Sequence, residues 1–251
     1  MTRSRLIVLA VLAVAAIAVG GFIAYDQVLR GDSVAALTLP ASTPTARASS
    51  EPSTAEPTAS DEPVASSDVA GVGGTWTVAT GSQAGYRVRE RLANLPAESD
   101  AIGRTEDVTG SITVEAGGDG ARLTAGTVTV DTTTITSDES RRDNRLRSEG
   151  LQTDQFPTAT FTLTQPVDVP AGALEGTATD LTLTGDLTLH GVTKSLEIPA
   201  QAQLVGDTMQ VAGSLTFPLS DFEISPPNVG GFILSIAEEG TLEFLVAFSK
   251  G

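Results

Sequence analysis

The sequence predicts an all-β domain of antiparallel strands, closed as a barrel or stacked as a sandwich. Three observations carry that expectation. Threonine supplies 27 of the residues from Gly74 to Gly251, and β-branched side chains fit a pleated, half-buried surface. Apolar residues recur at every second position over long stretches, which is strand rather than helix periodicity. Only Asp138 to Ser148 reads as a helix, with acid-first i,i+4 pairs at Asp138–Arg142 and Asp143–Arg147. About eight strands in about 178 residues suit either architecture.

Taken in order, the chain opens with an apolar run. Leu6 to Ala24 contains only Leu, Ile, Val, Ala, Gly and Phe. At helical rise these residues cover roughly 28 Å, close to the roughly 30 Å hydrocarbon core. Arg3 and Arg5 precede the run, so residues 1–30 are expected to form a single transmembrane anchor with its N-terminus in the cytoplasm. The competing reading is a cleaved secretory signal with Ala18-Val19-Gly20 as its small-residue site. Both place the domain outside the cytoplasm, at the cell membrane or secreted.

Residues 31–73 read as a disordered linker. They are rich in Ser, Thr, Ala, Pro and Glu, carry a net charge of −5 and lack aromatic residues, so they bury too little to offset ordering entropy. A coil of this length spans roughly 35 Å r.m.s., leaving the domain tethered but free to reorient.

Residues 74–251 form the one folded domain. Strands are expected over Trp76–Val78, Tyr86–Arg89, Val108–Glu115, Arg122–Ile135, Ala159–Thr164 and Met209–Phe217. The alternation is clearest at Leu181, Leu183, Leu187 and Leu189, at Leu196, Ile198, Ala200, Ala202 and Leu204, and at Leu242, Phe244, Val246 and Phe248. The phase slips at Gly126, which suggests a bulge.

Composition excludes several functions. The net charge of −16 opposes sequence-independent nucleic-acid binding, which needs a basic surface. Absence of cysteine removes disulfides, thiolate metal sites and thiol nucleophiles, and a lone His190 removes a histidine-rich metal site. No metal or cofactor is expected.

Three segments resemble the YceI-like family of secreted and periplasmic lipid-binding proteins. The first is Arg142-Asp143-Asn144-Arg145-Leu146-Arg147-Ser148, followed by Phe156-Pro157-Thr158-Ala159-Thr160-Phe161. The second is Leu187-Thr188-Leu189-His190-Gly191-Val192-Thr193-Lys194 and the third Ser220-Asp221-Phe222-Glu223-Ile224. Glu223 departs from the family pattern, standing where glycine is usual, and Leu151-Gln152 replaces a Phe-rich dipeptide. The resemblance implies an elongated eight-stranded antiparallel barrel, lipocalin-like in shape, holding a polyisoprenoid or other amphiphilic lipid. Small residues on the apolar faces (Ala200, Ala202, Gly213) are expected to leave unfilled volume.

The ligand-binding candidates are Arg142, Arg145, Arg147, Phe161, Phe217, Phe222, Phe232 and Phe244. The arginines, with Arg141, form the one dense basic cluster in a domain of net charge −13. They read either as a clamp for an anionic head group or as a solvated helix face paired with Asp138 and Asp143. The aromatics read first as core. Val229 to Leu234 reads equally as a lip over the pore or as an ordinary connection.

His190 precedes Gly191 where a hairpin should turn, so a turn-stabilising hydrogen bond is its expected role. A base role beside Asp186 or Asp221 would need an oriented partner and a nucleophile. No catalytic residue is assigned. The leading expectation is a membrane-tethered lipid carrier; the alternatives are a packed structural barrel and a lipid hydrolase.

Overall fold

A computed structural model describes residues 34–40, 71–93, 97–117, 120–226 and 233–251. The expected anchor over Leu6–Ala24 lies outside these residues. Among the described residues no helix is long and apolar enough to cross a membrane.

The strands are β1 (Gly74–Val78), β2 (Gln83–Leu92), β3 (Glu98–Thr105), β4 (Val108–Gly117), β5 (Gly120–Asp131) and β6 (Thr136–Ser137). After them come β7 (Thr158–Leu163), β8 (Val167–Val169), β9 (Thr179–Leu189), β10 (Val192–Val205), β11 (Thr208–Pro218) and β12 (Ile233–Lys250). Eight of them close a ring in the order β1-β4-β5-β7-β9-β10-β11-β12, with β12 returning to β1 through Trp76↔Lys250 and Val78↔Phe248. The fold is therefore an all-β antiparallel barrel, and closure removes the free edges that would otherwise invite aggregation. β2 lies end to end with β1 along the long β12, and a ribbon of β2, β3 and β6 continues the wall.

Alternation sets the register. Leu183 pairs with Ile198 and Val211 with Val246, and Leu183, Leu187, Leu189, Ile198, Val211 and Val246 all line the inner face. The bulge in β5 falls at Thr124, where Thr113 pairs with Ala125 but Val114 with Leu123. The slip seen at Gly126 therefore originates two residues upstream. β5 also ends at Asp131, short of Ile135, because the Asp131 carboxylate accepts from the Thr133 N–H (2.9 Å) and caps a 3-10 turn.

The expected helix is shorter than its periodicity suggests. α1 spans Ser140–Arg145 and passes into a single π turn over Leu146–Gly150. Asp138–Arg142 is made, whereas Asp143 turns back to accept from Ser137 N and Oγ (2.9 and 2.6 Å). Arg147 instead donates to the carbonyls of Thr133 (3.1 Å) and Ile135 (3.0 Å). A second short helix, α2 (Ala171–Leu174), buries Ala173 completely.

The core has two parts. One fills one end of the barrel around Trp76, Ile112, Val114, Ala202, Met209 and Phe248, and extends upstream to Val72, whose carbonyl accepts from Trp76 Nε1 (2.9 Å). The other holds Ile135, Leu151, Leu187, Phe222 and Ile224 beside α1. Between them β10 and β11 part. Their ladder runs from Val205↔Thr208 only as far as Ala200↔Gly213, and Pro199, which has no N–H to donate, stands at the divergence. The 3-10 turn Leu219–Phe222 inserts Phe222 beyond the parting, with only 1% of its surface exposed.

Residues 34–40 fall within the stretch expected to be a linker. They instead lie against the outside of the barrel: Leu39 is buried, and the carbonyls of Val34, Ala35 and Pro40 accept from Arg87, Arg104 and Gln203.

Candidate functional site

The barrel encloses a cavity of about 280 Å³. Its wall is made by the inward phase of the strands, including Val88, Ile112, Val128, Leu183, Ile198 and Val246. Ala200, Ala202 and Gly213 do not line it. The space expected at Gly213 is taken by Phe244, whose ring would stand 2.8 Å from a Cβ placed there.

That arrangement recurs around the wall. A Cβ at Gly103 would stand 2.4 Å from the Tyr86 ring, and one at Gly185 would stand 2.5 Å from the Phe161 ring. In each case an inward-facing glycine accepts the aromatic side chain of the neighbouring strand, as the registers Gly103↔Tyr86 and Gly213↔Phe244 require. Rings seated on glycines contribute apolar surface without crossing the pore.

Polar groups gather beside α1. Tyr86, Val88 and Glu90 share the inner phase of β2, and α1 brings Arg142 to them. Arg142 donates to Glu90 Oε1 at 2.6 Å, to Asp138 Oδ1, and to Ser137 Oγ at 3.3 Å. Glu90 is only 4% exposed, so this is a buried ion pair. Burial works against the Arg142 charge, but hydrogen bonding and charge pairing with Glu90 and Asp138 outweigh it and raise its pKa.

The Tyr86 hydroxyl and Arg142 Nε are both buried and have no hydrogen-bond partner in the protein. Burial is the main cause pushing the Tyr86 phenol up to about 12. Arg142 pulls it back, while Asp143, Glu90 and Asp138 add to the rise. The phenol is thus a neutral donor at any physiological pH. Two unused donors at one end of an apolar cavity suit a molecule with one acceptor-bearing end and an apolar body.

Of the sequence candidates, Arg142, Arg145, Phe161, Phe217 and Phe244 line the cavity. Arg147 does not; its guanidinium is held by the backbone of the 132–135 turn. Nor does Phe222, which is buried in the second core and packs edge-on against Phe217 with centroids 5.0 Å apart. Phe232, with most of the 229–234 segment, lies outside the described residues; Ile233 lines the cavity and Leu234 is exposed.

Tyr86 and Glu90 were missed. A carboxylate in phase with Tyr86 and Val88 was the available signal, but its partner Arg142 lies fifty-two residues away.

His190 holds a structural position. Its φ of 51° and the 76° of Gly191 form the two-residue turn joining β9 to β10. Nδ1 donates to the Phe222 carbonyl at 3.0 Å, and the ring meets Phe156 edge-on at 4.6 Å. Asp186 accepts from Ser195 and Asp221 from Lys194, so the constellation considered for hydrolysis is not assembled. Among the described residues no group of three potential metal ligands occurs.

A family model for the YceI-like domain matches residues 76–248. A UPF0312 protein of Shewanella baltica (strain OS185) is 36% identical over 137 residues, covering 50% of this chain and 65% of that protein. Another, from Vibrio parahaemolyticus, is 36% identical over 104 residues, covering 39% of this chain and 51% of that protein. The chain thus spans between about half and 65% of the length of these curated relatives. Among solved structures, a polyisoprenoid binding domain from Saccharophagus degradans, implicated in plant cell wall breakdown, matches with a TM-score of 0.52 at 17% identity. That match covers 71% of this chain and 99% of the other, a likeness of fold. The family match runs from the strand that closes the ring almost to the end of its partner strand, taking in the whole cavity wall, and so the chain belongs to the YceI-like family.

Proposed function

We propose that this chain is a membrane-tethered, extracytoplasmic lipid-binding protein that holds a polyisoprenoid or similar amphiphile in the barrel for storage or transport. The observation that carries the proposal is the pairing of an apolar cavity with two buried, unpartnered donors, Tyr86 Oη and Arg142 Nε, near one end. A polar end group, hydroxyl or phosphate, accepts from those donors while the chain lies along the rings of Phe161 and Phe244. Burial of the chain supplies the driving force, about 25 cal/mol per Å² before association costs are subtracted.

A volume of about 280 Å³ is close to the lower end of ligand sites, roughly 300 Å³. It favours a single chain over a two-tailed lipid. The polyisoprenoid-binding neighbour supports the same ligand class. Arg3 and Arg5 ahead of the apolar run from Leu6 to Ala24 support a tether with the barrel outside the cytoplasm.

Organic extraction of the purified full chain, followed by mass spectrometry, is the direct test. Recovery of a stoichiometric isoprenoid or single-chain amphiphile is the expected result. Repeated extraction without a lipid, together with no uptake of added prenyl alcohols or prenyl phosphates, would overturn the proposal.

A further inference from the structure

Strand residues that point away from a barrel normally meet solvent, yet four on this barrel do not. Gln203 on β10, Ala212 on β11, and Glu243 and Ala247 on β12 all occupy the outward phase, and all are buried. In register they lie beside one another: Gln203↔Gln210↔Ala247 forms one row, Gln201↔Ala212↔Leu245 the next, and Ser214↔Glu243↔Gly85 a third. Residues 34–40 are bonded to both margins of this patch.

The donors at one margin are held in place. Glu243, 2% exposed, accepts from Arg104 Nε (3.1 Å) and from its Nη2 (2.8 Å), and pairs with Arg87 at 3.5 Å. Asp100 fixes the other side of Arg87 at 3.2 Å. Arg104 reaches Glu243 by crossing β2 at Gly85, where a Cβ would stand 2.9 Å from its Cγ and 2.1 Å from the Gly103 carbonyl. Thus fixed, Arg87 donates to the Val34 carbonyl at 2.9 Å and Arg104 to that of Ala35. At the other margin Gln203 donates to Pro40 at 3.4 Å. Leu39, which lies between these contacts in sequence, is itself buried, at 8% exposed.

We infer that this outer wall is a docking site for an extended apolar peptide, and that its occupant is residues 34–40 of the same chain, acting as a clasp. Recognition runs through backbone carbonyls at both ends and a buried leucine near one of them. The docking itself does not depend on the membrane proposal, but its consequence does. Ala24, the end of the apolar run, is ten residues from Val34, a span of at most about 36 Å. With the clasp released, the free chain reaches Gly74 and extends to roughly 170 Å. The clasp therefore keeps the barrel on a short leash.

The chain has no cysteine, so single thiols report the clasp in the full-length protein. Leu39→Cys is expected to react with a soluble maleimide at least tenfold more slowly than Val34→Cys, whose site is 49% exposed. Adding Ala212→Trp, which fills the patch from the outer face, is expected to abolish the difference. Adding Leu37→Asp, which lies on the clasp and leaves the barrel sequence intact, is expected to do the same. Equal labelling of the two thiols, or protection at position 39 that survives Leu37→Asp, overturns the inference. In vesicles carrying a lipid acceptor dye, a donor on Val205→Cys is expected to lose energy transfer when Leu37→Asp is added. Failure to associate with vesicles while position 39 stays protected overturns the tether and supports the clasp; association with no change in transfer overturns the leash.

Discussion

Replacing Tyr86 with Phe is expected to move stability and binding in opposite directions. The Tyr86 ring sits on Gly103 and keeps its packing in the variant. What is lost is a hydroxyl that is buried without a partner. Leaving such a group unsatisfied costs about 1–3 kcal/mol, and its removal recovers that cost. The ligand-free barrel should therefore gain about 1 kcal/mol, seen as a higher denaturant midpoint at unchanged m and a melting temperature about 2–4 °C higher. Affinity for a prenyl alcohol should fall about tenfold, because one hydrogen bond of about 1.4 kcal/mol is gone.

Alkaline titration gives the same residue a second signature. The folded-state phenol titrates near 12 against 10.0 for the ordinary group. Its contribution is fully present below pH 10. Above that the unfolded chain loses the proton first, and stability falls until the folded-state value is passed, by about 3 kcal/mol in all. Tyr86→Phe should abolish that part of the fall. A loss of 1 kcal/mol or more in the ligand-free stability of Tyr86→Phe at neutral pH would refute the reasoning, since it would mean that the hydroxyl is satisfied.

Arg142→Met leaves Glu90 buried and uncompensated and should destabilise the barrel by about 3 kcal/mol, with Glu90→Gln in the same chain restoring most of it; a denaturation-based double-mutant cycle measures the coupling. Gly185→Val would place its Cβ 2.4 Å from the Thr162 carbonyl and 2.5 Å from the Phe161 ring, so both the neighbouring strand and the ring would have to shift. Overpacking of about 1–3 kcal/mol and displacement of a prenyl probe, read by fluorescence titration, are the expected results. Glu223 holds a left-handed φ of 54° with its side chain exposed, so Glu223→Gly should stabilise by about 0.5–1 kcal/mol in a melting experiment.

Much of the wall was legible in the sequence because inner and outer phases differ chemically along β9, β10 and β12. β3 was not, because its inward residues are Ala101, Gly103 and Thr105, and their small side chains give no apolar period. The Tyr86 ring from the next strand and the Ile135 side chain make Gly103 part of an apolar surface. The basic cluster was visible as a group of arginines, but its division was not. Arg142 turns to a carboxylate on β2, Arg147 to the backbone of a turn, and neither pairing leaves a local pattern. Glu223 stands at a position with a positive φ, which glycine adopts freely, so the residue there is strained and nothing in the structure explains its presence. The clasp was hidden by the composition around it, although β12 carried a hint. Phe244 to Phe248 is apolar in both phases, as befits a strand covered on its outer side too.

The parting of β10 from β11 makes the barrel mechanically uneven. Below Ala200↔Gly213 the hoop is continuous main-chain hydrogen bonding. Above it, two side-chain ties link the β9–β10 hairpin to the 3-10 turn: His190 to the Phe222 carbonyl, and Lys194 to Asp221 at 3.0 Å. The second joins groups that are 42% and 44% exposed and holds little energy. Widening that end breaks side-chain contacts and spares the ladders, so it belongs to the low-cost openings of the native state. Under the proposed function, a chain entering there would spread a seam already unlaced, while the core around Trp76, Met209 and Phe248 would stay closed by its ladders.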